Sequence, residues 1–206
     1  MLKSINKVVK ILVLSDFTLL FGWGLVAPIL AIFITGQIQG GDARVAGIAI
    51  GIYWLLKSLL QIPIGRYLDQ NHGEKDDYYF LIIGTLLVAL PPLGFIFATL
   101  PWHMYALQGL HAIGAALSLP AWCGIFTRHI GKGREAQSWA LDSSALGIGA
   151  GISGIIGGII AKSFGFTPLF IGVSVFAVIS ALLCILIKKD LIIPKKKEVI
   201  LIPKPK

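Results

Sequence analysis

The chain has 206 residues, of which 56% are hydrophobic and only 14% are charged, whereas soluble domains carry about 25% charged residues. Together with a mean hydropathy of +0.83, this excludes an ordinary soluble fold. The formal charge of +8 does not indicate nucleic-acid binding, because the basic residues lie at the ends of apolar runs and in the C-terminal tail.

Six apolar runs are long enough to cross a bilayer, which takes about 20 helical residues. They cover residues 8–35, 44–67, 78–99, 102–127, 137–161 and 166–187. The first run follows three lysines, as a secretory signal would, but it is too long for a signal peptide and predicts a retained span. The sequence therefore predicts an all-α membrane domain over residues 1–187. The tail over 188–206 is rich in Lys and Pro and is predicted to be disordered.

The distribution of Lys and Arg predicts the orientation. Fifteen of these residues fall on the side that carries both termini, and two, Arg44 and Lys162, fall on the other side. Basic residues collect in the cytoplasm, so we expect a multi-pass protein of the cell membrane with both termini cytoplasmic. The lipid bilayer is therefore one of its expected partners.

An internal repeat relates the first three spans to the last three. Leu25-Val26-Ala27-Pro28 matches Leu117-Ser118-Leu119-Pro120, and Ile64-Gly65 matches Gly157-Gly158. Three spans reverse the direction of the chain, so the two repeats must be inverted relative to each other, which is a known transporter plan.

The connection after the second span carries a recognisable pattern. It reads Gly65-Arg66-Tyr67-Leu68-Asp69-Gln70-Asn71-His72-Gly73-Glu74-Lys75. Gly65, Asp69, Gly73 and Lys75 resemble the cytoplasmic loop motif of the major facilitator superfamily, although Gln70 stands where that family usually has a basic residue. The resemblance implies that these four residues gate the cytoplasmic side.

Three further stretches are similar to the same family. They are the Gly- and Pro-containing first span with Gly22, Gly24 and Pro28, Gln108-Gly109 in the fourth span, and Gly147, Gly149, Gly151, Gly154, Gly157 and Gly158 in the fifth. The glycines at 147, 151, 154 and 158 also predict a smooth face for a close helix contact, either static or sliding. The resemblance implies the N-terminal six-helix half of a twelve-helix transporter.

Two ionisable residues stand out inside predicted spans, where charge is costly and marks a functional site by default. Asp16 and Lys57 are predicted at similar depth, about 9–14 Å from the cytoplasmic edge at 1.5 Å per helical residue. We expect them to meet as an ion pair that binds substrate or couples protons. The structural alternatives are mutual neutralisation at a helix contact, or a Lys57 that extends toward the membrane surface.

The fourth span adds Gln108, His111 and Trp122 as candidate substrate or proton-coupling residues. The alternative for His111 is a packed, hydrogen-bonded core residue. Asp142 is interpreted as a helix cap or as a partner of Arg128 or Arg134. No catalytic, metal-binding or cofactor-binding motif is present, so no enzyme activity is expected.

The sequence thus predicts a half-size secondary transporter of a small solute, with proton coupling through Asp16 as an option. The alternatives are a non-transporting accessory membrane subunit and a truncated fragment of a twelve-helix transporter. The expected partner is a second six-helix half, supplied by a parallel homodimer or by a separate chain.

Overall fold

The computed structural model describes residues 5–70 and 74–192, and the regular structure within them is helical. The helices are α1 (Lys7–Val26), α2 (Leu30–Gln37), α3 (Ala43–Gln70), α4 (Glu74–Val88), α5 (Leu90–Phe95), α6 (Pro101–His129), α7 (Glu135–Phe164), α8 (Phe166–Ile185) and α9 (Lys188–Ile192). Six units are long and apolar enough to cross a membrane: α1 with α2, α3, α4 with α5, α6, α7, and α8. The six predicted spans are therefore confirmed.

Prolines break two of these spans and leave two others continuous. The first span is interrupted at Ala27 to Ile29, around Pro28, and the third at Ala89, just before α5, whose first turn contains Pro91 and Pro92. A proline lacks an N–H and its ring crowds the preceding turn, which explains the interruptions. Pro63 and Pro120, in contrast, lie inside unbroken helices.

In each three-helix repeat, the first helix packs mainly on helices of the other repeat, and we call this arrangement exchanged packing. The first helix of the first repeat, α1, packs on α7 and α8, and the first helix of the second repeat, α6, packs on α3 and α4. Two of the contacts between the repeats join a glycine to a proline: a Cβ at Gly65 would lie 3.8 Å from Pro120, and a Cβ at Gly154 would lie 3.9 Å from Pro28. This confirms the inverted three-helix repeats predicted from the sequence.

The buried apolar side chains form one cluster at each end of the bundle. The cluster at the end that carries the chain termini includes Leu12, Trp122, Ile125, Phe126 and Ile187. The cluster at the opposite end includes Val26, Phe33, Phe95, Met104 and Phe170. Burial of these large side chains fixes the positions of the helices at both ends.

Small and hydroxyl-bearing residues hold the bundle together between these clusters. Ser15 Oγ lies 3.2 Å from Ser180 Oγ and 3.0 Å from Cys184 Sγ, so α1 and α8 are linked by hydrogen bonds. Gly84 on α4 and Gly114 on α6 approach so closely that a Cβ on either would meet the backbone of the other helix. Such contacts replace the hydrophobic effect as the cause of helix association in lipid.

The glycines of α7 form two stripes with different surroundings. A Cβ at Gly157 would collide with the backbone carbonyl of Leu25 on α1. At Gly147, Gly151 and Gly158, nothing lies within 4 Å of the Cβ position. The predicted smooth face over these last positions therefore makes no static contact within the described part of the chain.

The segment after the last span begins with a short helix. In α9, Asp190 Oδ2 accepts a hydrogen bond of 2.9 Å from Lys7 Nζ, which ties the end of the sixth span to the start of the first. Residues 193–206, which contain most of the tail predicted to be disordered, lie outside the described residues.

We predict that Gly157→Ala lowers the thermal unfolding midpoint in detergent, because the added methyl group meets backbone that cannot rotate away. Overpacking of this kind costs about 1–3 kcal/mol. Gly158→Ala is the matched control, since it gains the same helix propensity in open space. Equal midpoints for the two variants would contradict the close contact between α1 and α7.

Candidate functional site

Ionisable side chains from four helices converge around one thiol. Cys123 on α6 lies within electrostatic range of Asp16 on α1, Lys57 on α3 and Asp142 on α7. Cys123, Asp16 and Lys57 are each half-buried. The structure therefore brings Asp16 and Lys57 to the same region, and the shared neighbour is a cysteine of the fourth span.

The two carboxylates of this cluster also lie in each other's neighbourhood. Asp16 and Asp142 lie within electrostatic range of one another, and Asp142 is only 5% exposed. Its Oδ1 atom has no hydrogen-bond partner in the described part of the chain. Because buried carboxylates are rarely left unpartnered, Asp142 joins Asp16 as a candidate functional residue.

The predicted ion pair between Asp16 and Lys57 is wrong. The Lys57 ammonium lies instead over the rings of two residues on its own helix, 5.6 Å from the centroid of Tyr53 and 4.9 Å from that of Trp54. The reason is the exchanged packing of the repeats: α1 packs on α7 and α8, whereas α3 packs on α6. The two residues therefore approach Cys123 from different neighbours, and the ring faces provide the attraction for the cation.

His111 is the centre of an aromatic stack that joins three helices. Its ring stacks on Trp23 of α1, with centroids 3.7 Å apart and planes at 7°, and on Tyr53 of α3, with centroids 4.2 Å apart. His111 Nδ1 lies 3.4 Å from Gln108 Oε1. Both His111 and Gln108 are buried, so this geometry matches the packed alternative for the histidine and places the stack directly beside Lys57.

Trp122 lies apart from this stack. It is 6% exposed, its ring stacks on Phe126 with centroids 4.5 Å apart, and its Nε1 donates to the carbonyl of Leu12 at 3.3 Å. These contacts account for the whole side chain. Trp122 fixes α6 against α1 in the terminal apolar cluster.

The residues predicted to gate the cytoplasmic side are dispersed. Gly65 packs near Pro120, Asp69 is exposed at the end of α3, and Lys75 is exposed in the first turn of α4. Gly73 lies outside the described residues.

Arg128 at the end of α6 connects to the start of α4. Its Nε donates to Glu74 Oε1 at 3.1 Å, and its Nη2 donates to Asp77 Oδ2. The predicted pairing of Arg128 with Asp142 is therefore wrong. The predicted capping role of Asp142 is also wrong, because α7 begins at Glu135, two turns earlier.

Sequence reasoning missed the site roles of Tyr53, Trp54, Cys123 and Asp142. The signal for Asp142 is present in the sequence, since the residue lies inside the predicted fifth span over 137–161, where acidic residues are candidates by default. The ring contacts of His111 and Lys57 depend on how α1, α3 and α6 pack, which the sequence does not display. In the described ranges no group of three or more His, Cys, Asp or Glu side chains could hold a metal ion.

We predict that Cys123 reacts with N-ethylmaleimide in the folded protein and that Cys184 does not. Cys123 is half-buried within the ionisable cluster, whereas Cys184 is fully buried against Ser15. Mass spectrometry of the single-cysteine variants Cys184→Ala and Cys123→Ala measures this directly, with SDS-unfolded samples as the control for full labelling. Equal rates in the folded state would show that the cluster is closed.

Comparison with known proteins identifies the family. Residues 12–205 match the model of the Major Facilitator Superfamily. An uncharacterized MFS-type transporter of Methanocaldococcus jannaschii is 26% identical over 195 residues, which are 95% of this chain and 49% of that protein. The inner membrane transport protein YajR of Escherichia coli is 32% identical over 164 residues, which are 77% of this chain and 33% of that protein.

The fold has a counterpart among solved structures. The crystal structure of the POT family transporter PepTSo superposes with a TM-score of 0.70 at 14% identity, over 98% of this chain and 40% of that one. The chain spans about half the length of the archaeal relative and a third of the bacterial one. With the family match over nearly all of its residues and six spans in two inverted repeats, the chain belongs to the major facilitator superfamily.

Proposed function

We propose that this chain is one six-helix half of a secondary transporter that moves a small solute across the membrane. The observation that carries the proposal is the convergence of Asp16, Lys57 and Asp142 around Cys123, on helices that are long and apolar enough to span a bilayer. Charged groups at such depth persist where they line a polar pathway. The transporter names of the two relatives support the same function.

Two of the four helices around this cluster are covered on one side only. In the most apolar stretches of α3 and α7, 17% of the residues are buried, compared with 56% for α6. Their exposed large side chains include Trp54, Leu55, Leu59 and Ile62 on α3, and Ile148, Ile152, Ile155 and Ile159 on α7. We infer that a second six-helix half covers this face and encloses the polar cluster between the halves.

A second half would complete the substrate site between two halves that alternating access requires. In this family the halves are related by an axis along the membrane normal, and the substrate site lies between them near the midplane. The open glycine positions of α7, at Gly147, Gly151 and Gly158, leave room for a neighbouring helix to approach closely and slide. An accessory subunit or an inert fragment would show the same fold without flux.

We further propose that the protein lies in the cell membrane with both termini in the cytoplasm. The support is the asymmetry of the basic residues, since cytoplasmic connections carry the excess of Lys and Arg. Arg128 and Arg134 border the connection between α6 and α7 on that side. Transport by this plan involves no covalent chemistry, so no catalytic residue is assigned.

Asp16 is the proposed proton-coupling group. A carboxylate changes its charge when it binds one proton, and acidic residues within spans act as proton relays in transporters. The ionisable groups that face it come from three helices: Asp142 on α7, Cys123 on α6 and Cys184 on α8. Loss of the Asp16 charge therefore changes the balance between one ammonium and two carboxylates around Cys123.

We predict that Asp16→Asn abolishes the part of solute flux that depends on an inward proton gradient in proteoliposomes. The amide keeps the size of the carboxylate but binds no proton in this range, so flux should equal that measured without a gradient. Asp190→Asn is the control, because it removes an exposed ion pair at the membrane edge, which contributes little to stability. An unchanged response to pH in Asp16→Asn would remove the coupling role.

We also predict that the active form contains two six-helix halves. Purified protein in lipid nanodiscs should have the mass of a homodimer or of a complex with a separate half, as closed two-fold pairs are the commonest oligomers. In a cysteine-free background, Leu59→Cys on α3 should form a crosslink to the partner, and Leu182→Cys on α8 should not. A monomer that transports would refute the requirement for a second half.

A further inference from the structure

We propose that Lys57, Tyr53 and Trp54 form the recognition site for an organic anion with a flat aromatic body. This inference rests on the proposed transport function and names the class of its substrate. The evidence is the position of Lys57, the two rings beside it and the carboxylates of the same cluster.

Lys57 is a cation that the described structure leaves without an anion. The ion pairs at Lys7 and around Glu74 and Arg128 do not include Lys57. Lys57 lies near the middle of α3, whereas Arg44 and Arg66 are close to the two ends of that helix. A lysine at this depth that has no carboxylate partner can form an ion pair with the carboxylate of a substrate.

The rings beside Lys57 define the rest of the site. Tyr53 is held by its stack on His111, and Trp54 meets it edge to face with centroids 5.1 Å apart. Trp54 is 56% exposed, so one face of its ring is free for a ligand within the described structure. An aromatic acid can place its carboxylate on the Lys57 ammonium while its ring packs on Trp54, which satisfies both groups at once.

The neighbouring carboxylates limit the charge of the ligand. Asp16 and Asp142 share the electrostatic surroundings of Cys123 with Lys57. A second negative charge on the ligand would meet these two groups without a further ammonium within the cluster, and like charges in a site of low dielectric repel strongly. The site therefore fits a monoanion better than a dianion. An aromatic cation bound at Asp16 and Asp142 is the competing class.

The site also has the location that transport requires. Tyr53, Trp54 and Lys57 lie on α3, which packs on α6 and is the less covered of the two helices. Cover by a second half would remove water from this side and strengthen the attraction between the ammonium and a bound carboxylate. The His111 stack would then form the rigid wall of the site and Trp54 its adjustable side.

Calorimetric titration of the full chain in nanodiscs tests the proposal with four probes. Benzoate is the expected ligand, cyclohexanecarboxylate keeps its charge without the aromatic ring, benzamide keeps the ring without the charge, and benzylamine reverses the charge. We expect benzoate to bind more tightly than each of the other three. Binding of benzylamine in preference to benzoate, or equal binding of all four, would overturn the proposal.

Two variants at Lys57 separate recognition from folding. Lys57→Gln should weaken benzoate binding by about tenfold or more, the scale of a hydrogen bond to a charged group, and Lys57→Arg should retain it. Lys162→Gln, at the far end of α7, is the matched control and should bind benzoate as the parent does. If Lys57→Gln, shown to be folded by its unchanged elution and unfolding midpoint, bound benzoate normally, Lys57 would not be the recognition residue.

Binding and flux measured on the same preparations distinguish a failure of the anion site from a failure of the proposed transport function. Benzoate binding that depends on Lys57, in a protein that shows no flux of labelled benzoate or of any other tested solute, would support the anion site and contradict transport. Flux of another solute, with no benzoate binding by the parent protein, would support transport and overturn the anion site.

Discussion

Hydrocarbon offers the backbone no hydrogen bonds, so each segment that crosses it must satisfy its own N–H and C=O groups as a helix. Wherever a helix of this chain is interrupted, a neighbour is close. At the break between α4 and α5, Ser174 of α8 donates to the carbonyl of Ala89 at 2.8 Å. The break near Pro28 packs beside the glycines of α7. The exchanged packing of the repeats places α8 at the break in the third span and α7 at the break in the first.

The same exchanged packing divides the helices into two groups that differ in how many neighbours cover them. The first helices of the repeats, α1 and α6, are packed on several sides, while α3 and α7 each pack mainly on one of them. A helix with one packed side has a second side available for substrate, for lipid or for another protein. Lys57 and Asp142 lie on these less covered helices, and Asp16 and Cys123 lie on the helices behind them.

Sequence patterns predicted the features that depend on single helices. Length and hydropathy were enough for the six spans, and the matched Pro28 and Pro120 motifs were enough for the repeat. The partners of individual side chains were not predictable, because Lys57 has aromatic neighbours one turn away on its own helix that compete with a distant Asp16. His111 illustrates the same limit, since its ring contacts come from residues 88 and 58 positions earlier in the chain, Trp23 and Tyr53.

The composition of the proposed cavity would depend on what supplies the second half. A symmetric homodimer would place two copies of Lys57 and two of the Asp16 and Asp142 pair around one axis, so a single monoanion would occupy one of two equivalent sites and leave the other ammonium unpaired. A different second half could keep one recognition site and provide apolar or neutral polar residues opposite it. An unpaired buried charge costs more than a neutral group. An asymmetric partner would therefore hold a single anion with less electrostatic penalty, whereas a homodimer would suit two bound anions, or one anion together with an ionised carboxylate beside the vacant lysine.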